Sequence, residues 1–215
     1  MLLALKDRND ALKSFKGIGK IKLRDKNIFH AVRVAWLGTR TGKLRIEVLD
    51  VSGRPAASIA SDGKWFYFLS HAEQRFYKKR AADPSLKKIV LIPVKSSDII
   101  TLLGGRIPIR DHNSVSIIKD TFGHTLVLKA GFGNIREKIY LDQSKTTVYK
   151  IEMFDIFGSL TYRAEFGKVQ DVKDYRIPFR MKLSDDKDKS FQLRIDRYWA
   201  DVPVSPPKFV LTPIE

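Results

Sequence analysis

The sequence contains no cysteine. This absence excludes a disulfide framework, a thiolate zinc site, an iron–sulfur cluster and a cysteine nucleophile. Histidine is scarce, and its four positions lack the spacing of a metal-binding pair: His30, His71, His112 and His124. No Gly-x-Ser-x-Gly elbow is present either. We therefore expect a protein that is not an enzyme and has neither a cofactor nor a metal.

Long apolar runs are also missing. No stretch approaches the roughly 18 residues that a membrane-spanning helix needs. The first residues, Met1-Leu2-Leu3-Ala4-Leu5-Lys6, are too short and too soon charged to form a signal peptide. We expect any export signal, and any lipid-attached cysteine, to lie upstream of residue 1.

Acidic residues are few compared with basic ones. Asp and Glu number 24 against 40 Lys and Arg, which gives a formal net charge of +16 and a pI near 10.0. Such an excess indicates nucleic acid or anionic lipid as a partner, or simply high solubility. Two lysine groups are the predicted membrane-surface residues: Lys16, Lys20 and Lys22, and Lys78 with Lys79.

Alternating apolar and polar residues dominate the rest of the chain of 215 residues. From Ser14 to Arg24, lysines and an arginine occupy one parity and apolar residues or glycine the other, which is typical of a half-buried strand. Asp62-Gly63 predicts a hairpin turn. Helices are predicted over Leu2–Phe15, from Asp83 through Ile89, and over Ile99–Leu103. We predict a single domain, 1–215, that is mainly β with short helices.

So many strands exceed what one flat sheet holds, so the sheet must curl or fold into a sandwich. The helices between the two groups of strands would place their apolar faces inside the curl. A half-barrel closed in this way has an interior that its own side chains need not fill, as in carriers of hydrophobic ligands. A fully packed β core with the helices as a plug is the alternative interpretation.

Several local patterns occur in an order that resembles a known family: Ser14-Phe15-Lys16-Gly17, a strand ending at Trp36, Lys43–Val48, Ser61–Tyr67 and Phe209–Pro213. Together they are similar to the LolA/LolB-like periplasmic lipoprotein carriers and outer-membrane receptors. The resemblance covers nearly the whole chain. It implies an incomplete antiparallel β half-barrel with an N-terminal helix and short lid helices over an apolar cavity.

The resemblance also implies site residues. Arg40 or Arg45 is expected to be the latch that holds the lid shut. Val51, in the loop between the third and fourth strands, is expected to meet the membrane, although it is small. The residues assigned to the apolar cavity and lid are Trp36, Leu44, Ile46, Val48, Phe66, Phe68, Ile99, Leu102, Leu103, Met153, Phe179 and Met181.

The function implied is to bind acyl chains of lipoproteins, or phospholipid, and to carry or receive them at the bacterial outer membrane. The protein would be a monomer in the periplasm, with anchoring to the outer membrane left open. The alternative is a basic β domain that binds nucleic acid or a protein and has no lipid cavity. Nucleic acid is disfavoured because aromatic residues sit inside apolar runs such as Trp65–Leu69.

Overall fold

The structure, a computed structural model, describes residues 1–26, 28–131 and 133–213, with only the backbone of Asp120. Three helices, thirteen strands and a final 3₁₀ turn occur within these ranges. The helices are α1 (Leu2–Asp7), α2 (Lys87–Val90) and α3 (Ser96–Leu103), and the 3₁₀ turn is Pro206–Phe209. The strands are β1 (Ser14–Asp25), β2 (Ile28–Thr39), β3 (Leu44–Leu49), β4 (Pro55–Ser61), β5 (Trp65–Ser70), β6 (Arg75–Arg80), β7 (Ser114–Asp120), β8 (Gly123–Ala130), β9 (Asn134–Leu141), β10 (Val148–Phe154), β11 (Leu160–Val172), β12 (Tyr175–Ser184) and β13 (Lys189–Ala200).

All the described strands belong to one antiparallel sheet, in the order β6-β5-β4-β3-β2-β1-β13-β12-β11-β10-β9-β8-β7. Sequence neighbours pair with each other within β1–β6 and within β7–β13, and the pairing of β1 with β13 joins these two halves of the chain. The edge strands β6 and β7 are not paired with each other within the described ranges, so the sheet stays open. The predicted mainly antiparallel fold with short helices is confirmed.

The two faces of the sheet differ in character. The inner face carries the apolar parity of β1, and α2 and α3 cover it between the two sheet edges. The outer face carries the charged parity, including Lys16, Lys20 and Lys22. A smaller apolar cluster on the outer face joins Ala60, Tyr67 and Leu69 to Leu211 of the C-terminal tail. Burial on the inner face therefore supplies most of the core.

The N-terminal helix is shorter than predicted. Helix α1 ends at Asp7 instead of continuing to Phe15, because Arg8 is extended and Asn9 is left-handed, with φ at 54°. The Asn9 side chain donates to the carbonyls of Gly104 and Gly105 at 3.1 and 3.2 Å. These tertiary bonds override the helical spacing of the apolar residues and turn the chain into β1.

The two helices between the strand groups also differ from their predicted bounds. Helix α2 is a single turn, Lys87–Val90, and α3 begins at Ser96. The carboxylate of Asp83 accepts hydrogen bonds from the Ser97 amide at 2.9 Å and the Ser96 hydroxyl at 3.1 Å. A residue outside the helix thus caps its first turn, whose amides have no intrahelical acceptor.

Candidate ligand-binding site

An apolar cavity lies between the helices and the inner face of the sheet. Its volume is about 80 Å³, and every residue that lines it is apolar. Strands β1–β4, β12 and β13 form the floor, and α2, α3 and the residue before α2 form the roof. The lining residues are Ile21, Leu23, Val32, Val34, Trp36, Ile46, Val48, Ile59, Leu86, Ile89, Val90, Ile99, Leu103, Met181, Phe191 and Leu193.

Trp36 owes its position on the cavity wall to a glycine on the neighbouring strand. Gly17 lies directly opposite Trp36, and a Cβ on Gly17 would come within 2.2 Å of the indole ring. Glycine is therefore required for the ring to lie flat against β1. The Trp36 Nε1 is buried and has no hydrogen-bond partner within the part of the chain that the structure describes.

Six of the predicted cavity and lid residues line this cavity: Trp36, Ile46, Val48, Ile99, Leu103 and Met181. The others lie elsewhere on the inner side. Leu44, Leu102 and Met153 are buried in the core, whereas Phe66 and Phe179 are partly buried against it. Phe68 lies opposite Ile59 and is half-buried.

The sequence analysis missed ten lining residues: seven on strands, Ile21, Leu23, Val32, Val34, Ile59, Phe191 and Leu193, and three around α2, Leu86, Ile89 and Val90. Among the strand residues, Ile21 and Leu23 continue the apolar parity of β1, so the alternation itself contains the signal. Helix α2 has only four residues, which is too short to show a period. The contribution of the three residues around it follows from the tertiary structure alone.

A buried ionic cluster ties α3 to the strands beyond the cavity. Asp98, 2% exposed, accepts a bidentate pair of bonds from Arg110, with Nη1–Oδ1 at 3.0 Å and Nη2–Oδ2 at 2.5 Å. The hydroxyl of Tyr162 on β11 donates to the same carboxylate at 2.9 Å. Burial raises the pKa of Tyr162 well above its usual range, and the charge of Asp98 adds to this. We call Asp98, Arg110 and Tyr162 the lid clamp.

Glu137 on β9 completes this region as a fully buried carboxyl. Its Oε2 accepts a bond from the Arg110 amide at 2.9 Å, while Oε1 has no hydrogen-bond partner among the described residues. Desolvation by burial raises the pKa of Glu137 to about 8, and the nearby Arg110 opposes this shift only in part. Glu137 therefore favours the neutral form at pH 7.

The other end of α3 is also fixed. The Tyr198 hydroxyl on β13 donates to the Leu103 carbonyl at 2.9 Å, and Asn9 bonds the two carbonyls that follow. Helix α2 differs, since no side-chain hydrogen bond or ion pair joins it to the sheet in the described ranges. Its contacts with the cavity are apolar. A backbone bond from the Leu86 amide to the Val94 carbonyl, at 2.8 Å, ties the start of α2 to the segment before α3. The roof thus has one helix that side-chain hydrogen bonds fix to the sheet, and one that meets the sheet through apolar packing.

The two arginines predicted as latches lie away from α3. Arg40 pairs with Asp10 at 2.7 Å, and both side chains are about half exposed. Arg45 pairs with Glu47 at 2.5 Å and donates to the Lys208 carbonyl at 3.1 Å, which secures the C-terminal tail. The arginine that bonds α3 is Arg110. A latch role for Arg40 or Arg45 stays a prediction.

The predicted membrane-surface residues lie on both faces. Lys16 is 5.0 Å from the centre of a Trp199 ring, and Lys78 is 4.5 Å from that of Trp65. The register places Lys20 and Lys22 on the outer face with Lys16, while Lys79 lies opposite Phe66 on the inner side of the edge strand β6. Val51, in the β3–β4 turn, is fully exposed.

No group of three or more His, Asp or Glu side chains in the described ranges could hold a metal ion. None of the described helices is both long and apolar enough to cross a membrane.

No protein-family model matches the sequence, and no curated protein matches it either. Solved structures do match the fold. A LolA superfamily protein from Nitrosomonas europaea superposes with a TM-score of 0.68 at 14% identity, over 98% of this chain and 97% of that one. A domain named for outer membrane lipoprotein sorting, from Vibrio parahaemolyticus, gives 0.68 at 13% identity, over 97% and 94%.

A DUF1329 family protein from Desulfovibrio piger matches as well, with a TM-score of 0.68 at 9% identity, over 97% of this chain and 93% of that chain. At these identities the likeness concerns the backbone architecture alone. All four chains thus share one overall fold, and one of the three solved structures is a LolA superfamily protein.

Proposed function

We propose that the protein binds acyl chains of lipoproteins or of phospholipid in the apolar cavity, and carries or receives them at the bacterial outer membrane. The observation that carries this proposal is the cavity itself, which is lined only by apolar residues from six strands and both roof helices. Burying each methylene of an acyl chain contributes roughly 0.8 kcal/mol without any polar recognition. The periplasm is the proposed compartment, and the role is binding without catalysis.

The small size of the cavity implies that binding of an acyl chain would require a conformational change. A volume of about 80 Å³ is far below the roughly 300–1,000 Å³ of typical ligand pockets. An acyl chain therefore requires part of the roof to move. Helix α2 is the part proposed to move, because no side-chain hydrogen bond or ion pair holds it to the sheet in the described ranges, whereas α3 is fixed by the lid clamp and by Tyr198.

The fold comparison supports the same role. The structure from Vibrio parahaemolyticus is named for outer membrane lipoprotein sorting, and it shares this architecture over nearly its whole length. A carrier of diverse lipoproteins needs affinity for the acyl chain and little specificity for the polypeptide. A wall of aliphatic side chains with a flexible Met181 provides that affinity.

Native mass spectrometry of the protein purified from cells tests this proposal by seeking bound lipid. Titration with a fluorescent fatty acid then measures uptake by the wild type and by Leu103→Glu. Leu103 lines the cavity, so a buried carboxylate there should reduce uptake at least tenfold. Leu3→Glu is the matched control, because Leu3 is 74% exposed.

Unchanged uptake by a folded Leu103→Glu variant would overturn the proposal, and so would a wild type that binds no fatty acid. If Leu103→Glu does not fold, Val48→Phe fills the cavity from a half-buried position without burying a charge. Val48→Phe should also reduce uptake.

A further inference from the structure

Four cationic side chains form a line across the outer face of the sheet. Arg180 lies opposite Arg194, Arg194 opposite Lys20, and Lys20 opposite Arg33, on the adjacent strands β12, β13, β1 and β2. All four are exposed. Since neighbouring strands are about 4.8 Å apart, the line extends over about 14 Å. We call these four residues the basic row.

This arrangement of like charges lowers the stability of the folded protein. Like charges directly opposite each other on paired strands are destabilising. Arg194 is relieved by Asp196 at 3.2 Å. No carboxylate oxygen among the described residues lies within 4.0 Å of Lys20, Arg33 or Arg180. The row therefore keeps most of its repulsion.

The same pair of strands shows that charge matching is available nearby. At the last residue of β1, Asp25 lies opposite Lys189, the first residue of β13, and the two form an ion pair at 2.8 Å. The pairing of β1 with β13 thus contains both a repulsive contact, Lys20 with Arg194, and a complementary one, Asp25 with Lys189. A ligand that supplies negative charge would offset the repulsion.

The surface at the row has room for such a ligand. A cleft of about 620 Å³ is lined by Lys20, Arg180 and Arg194 of the row, together with Lys22 and Lys182. One carboxylate, Glu165, also lines the cleft and lies 4.0 Å from Lys182, so cations remain in excess there. Gly167 lies opposite Arg180 and ends the row without a side chain. A Cβ at Gly167 would meet only the Arg180 Cβ, at 3.8 Å, so the cleft is open at this point.

The basic row also lies directly behind the apolar cavity. Each of its members is next in sequence to a residue that lines the cavity: Ile21, Val34, Met181 and Leu193. Alternation along a strand sends successive side chains to opposite faces. The same four strands therefore carry a cationic outer surface and the apolar inner surface that lines the cavity.

We propose that the basic row binds the phosphate groups of anionic phospholipid headgroups and holds the protein against a membrane surface. This inference rests on the proposed function, because a carrier of acyl chains must reach a bilayer. Clusters of lysine and arginine bind anionic leaflets through such contacts. Single-stranded nucleic acid would need exposed aromatic rings for base stacking. The aromatic residue of the cleft, Phe166, packs against the inner core instead.

The experiment compares binding to vesicles of phosphatidylcholine alone and to vesicles that also contain phosphatidylglycerol. The test variant is Lys20→Gln/Arg180→Gln. The control is Lys64→Gln/Lys145→Gln, which removes the same charge from exposed turns. We expect the test variant to bind phosphatidylglycerol vesicles about 30-fold more weakly, which corresponds to about 1 kcal/mol per cation. The control should bind like the wild type.

A second readout separates binding from a structural role. Removing two like charges from the row should raise Tm at low salt, whereas the control should leave it unchanged. A variant that is more stable and yet binds vesicles more weakly supports the proposal. Equal losses of vesicle binding by both variants would show that net charge alone matters and would overturn it.

The nature of the ligand is tested in the same assay. Tighter binding of a single-stranded oligonucleotide than of anionic vesicles, lost in the test variant, would overturn the lipid assignment. Fluorescent fatty acid uptake is measured on the same samples, and the test variant should retain it. If the test variant binds anionic vesicles like the wild type and takes up fatty acid normally, only this inference is contradicted. A wild type without uptake contradicts the proposed function.

Discussion

The roof helix α3 rests on two regions of the inner face that differ in kind. On the cavity side, formed by β1–β4, β12 and β13, it meets only apolar side chains and leaves about 80 Å³ empty. On the clamp side, over β9–β11, its own buried carboxylate Asp98 accepts three directed hydrogen bonds, two from Arg110 in the loop before β7 and one from Tyr162 on β11.

The two regions differ in how much structural rearrangement each of them tolerates. Charge-assisted hydrogen bonds require one geometry, so the clamp side fixes where α3 lies. Apolar contacts have no preferred direction, so the cavity side can rearrange around a ligand without leaving polar groups unpaired. The molecule thus combines a fixed support with an adaptable surface under one helix.

The largest expected effect comes from breaking the clamp with Asp98→Ala. This change leaves Arg110 and the Tyr162 hydroxyl without their partner in a buried site. Removing one member of a buried ion pair costs about 3–5 kcal/mol. Urea denaturation measures the loss in free energy of unfolding.

Glu73→Ala is the control for that experiment. Glu73 pairs with Arg75 at 3.5 Å, and both side chains are mostly exposed, so the loss should stay below about 1 kcal/mol. Equal losses from the two variants would contradict the special role of the clamp side.

A matched pair of enlargements tests the packing of the two regions. Ile139 on β9 is fully buried on the clamp side, whereas Ile59 on β4 lines the cavity. Ile139→Phe should destabilise the protein by about 1–3 kcal/mol, and Ile59→Phe by less than about 1 kcal/mol. Thermal or urea unfolding measures both. Ile59→Phe should in addition reduce fatty acid uptake, and a larger cost there than at Ile139 would refute the comparison.

The effect that is smallest for a single measured step is the change in stability over one pH unit. The pKa of Glu137 is about 8 in the folded protein, against about 4.3 for an unperturbed Glu, so the folded state binds more protons between these values. Stability from this group is complete below pH 4.3 and falls as pH rises towards 8, by at most about 1.4 kcal/mol per pH unit. Urea denaturation across this range should show the slope.

Glu137→Gln should remove that slope while keeping the acceptor for the Arg110 amide. A slope of the same size in the variant would mean that other groups cause it.

The sequence pattern predicted which residues face the inner side of the sheet, but it did not predict the side-chain bonds that hold α3 there. Alternation in β1 identified the apolar parity that includes Ile21, and this parity does reach the cavity. The pairing of Arg110 with Asp98 could not be predicted, because the two residues lie on a loop and a helix with no shared period. Arg40 and Arg45 were chosen for the latch by resemblance of position, and their bonds lie elsewhere.

Where the N-terminal helix ends could not be predicted either, because tertiary contacts decide it. The apolar spacing of Leu2, Leu5, Leu12 and Phe15 fits a helix, and all four residues do pack into the core. Whether their backbone continues as a helix depends on the bonds of Asn9 to residues far along the chain. Local periodicity contains no information about such bonds.

The pairing of β1 with β13 has a consequence for how the chain reaches this state. Every other strand pair is a hairpin between sequence neighbours, which closes rapidly, but this pair joins residues near opposite ends of the chain. The cavity floor spans it, with Ile21 on one side and Leu193 on the other. During synthesis the two hairpin arrays can each form early, yet no cavity exists until the last strand arrives. A chain truncated before β13 would expose both apolar arrays and would be prone to aggregate.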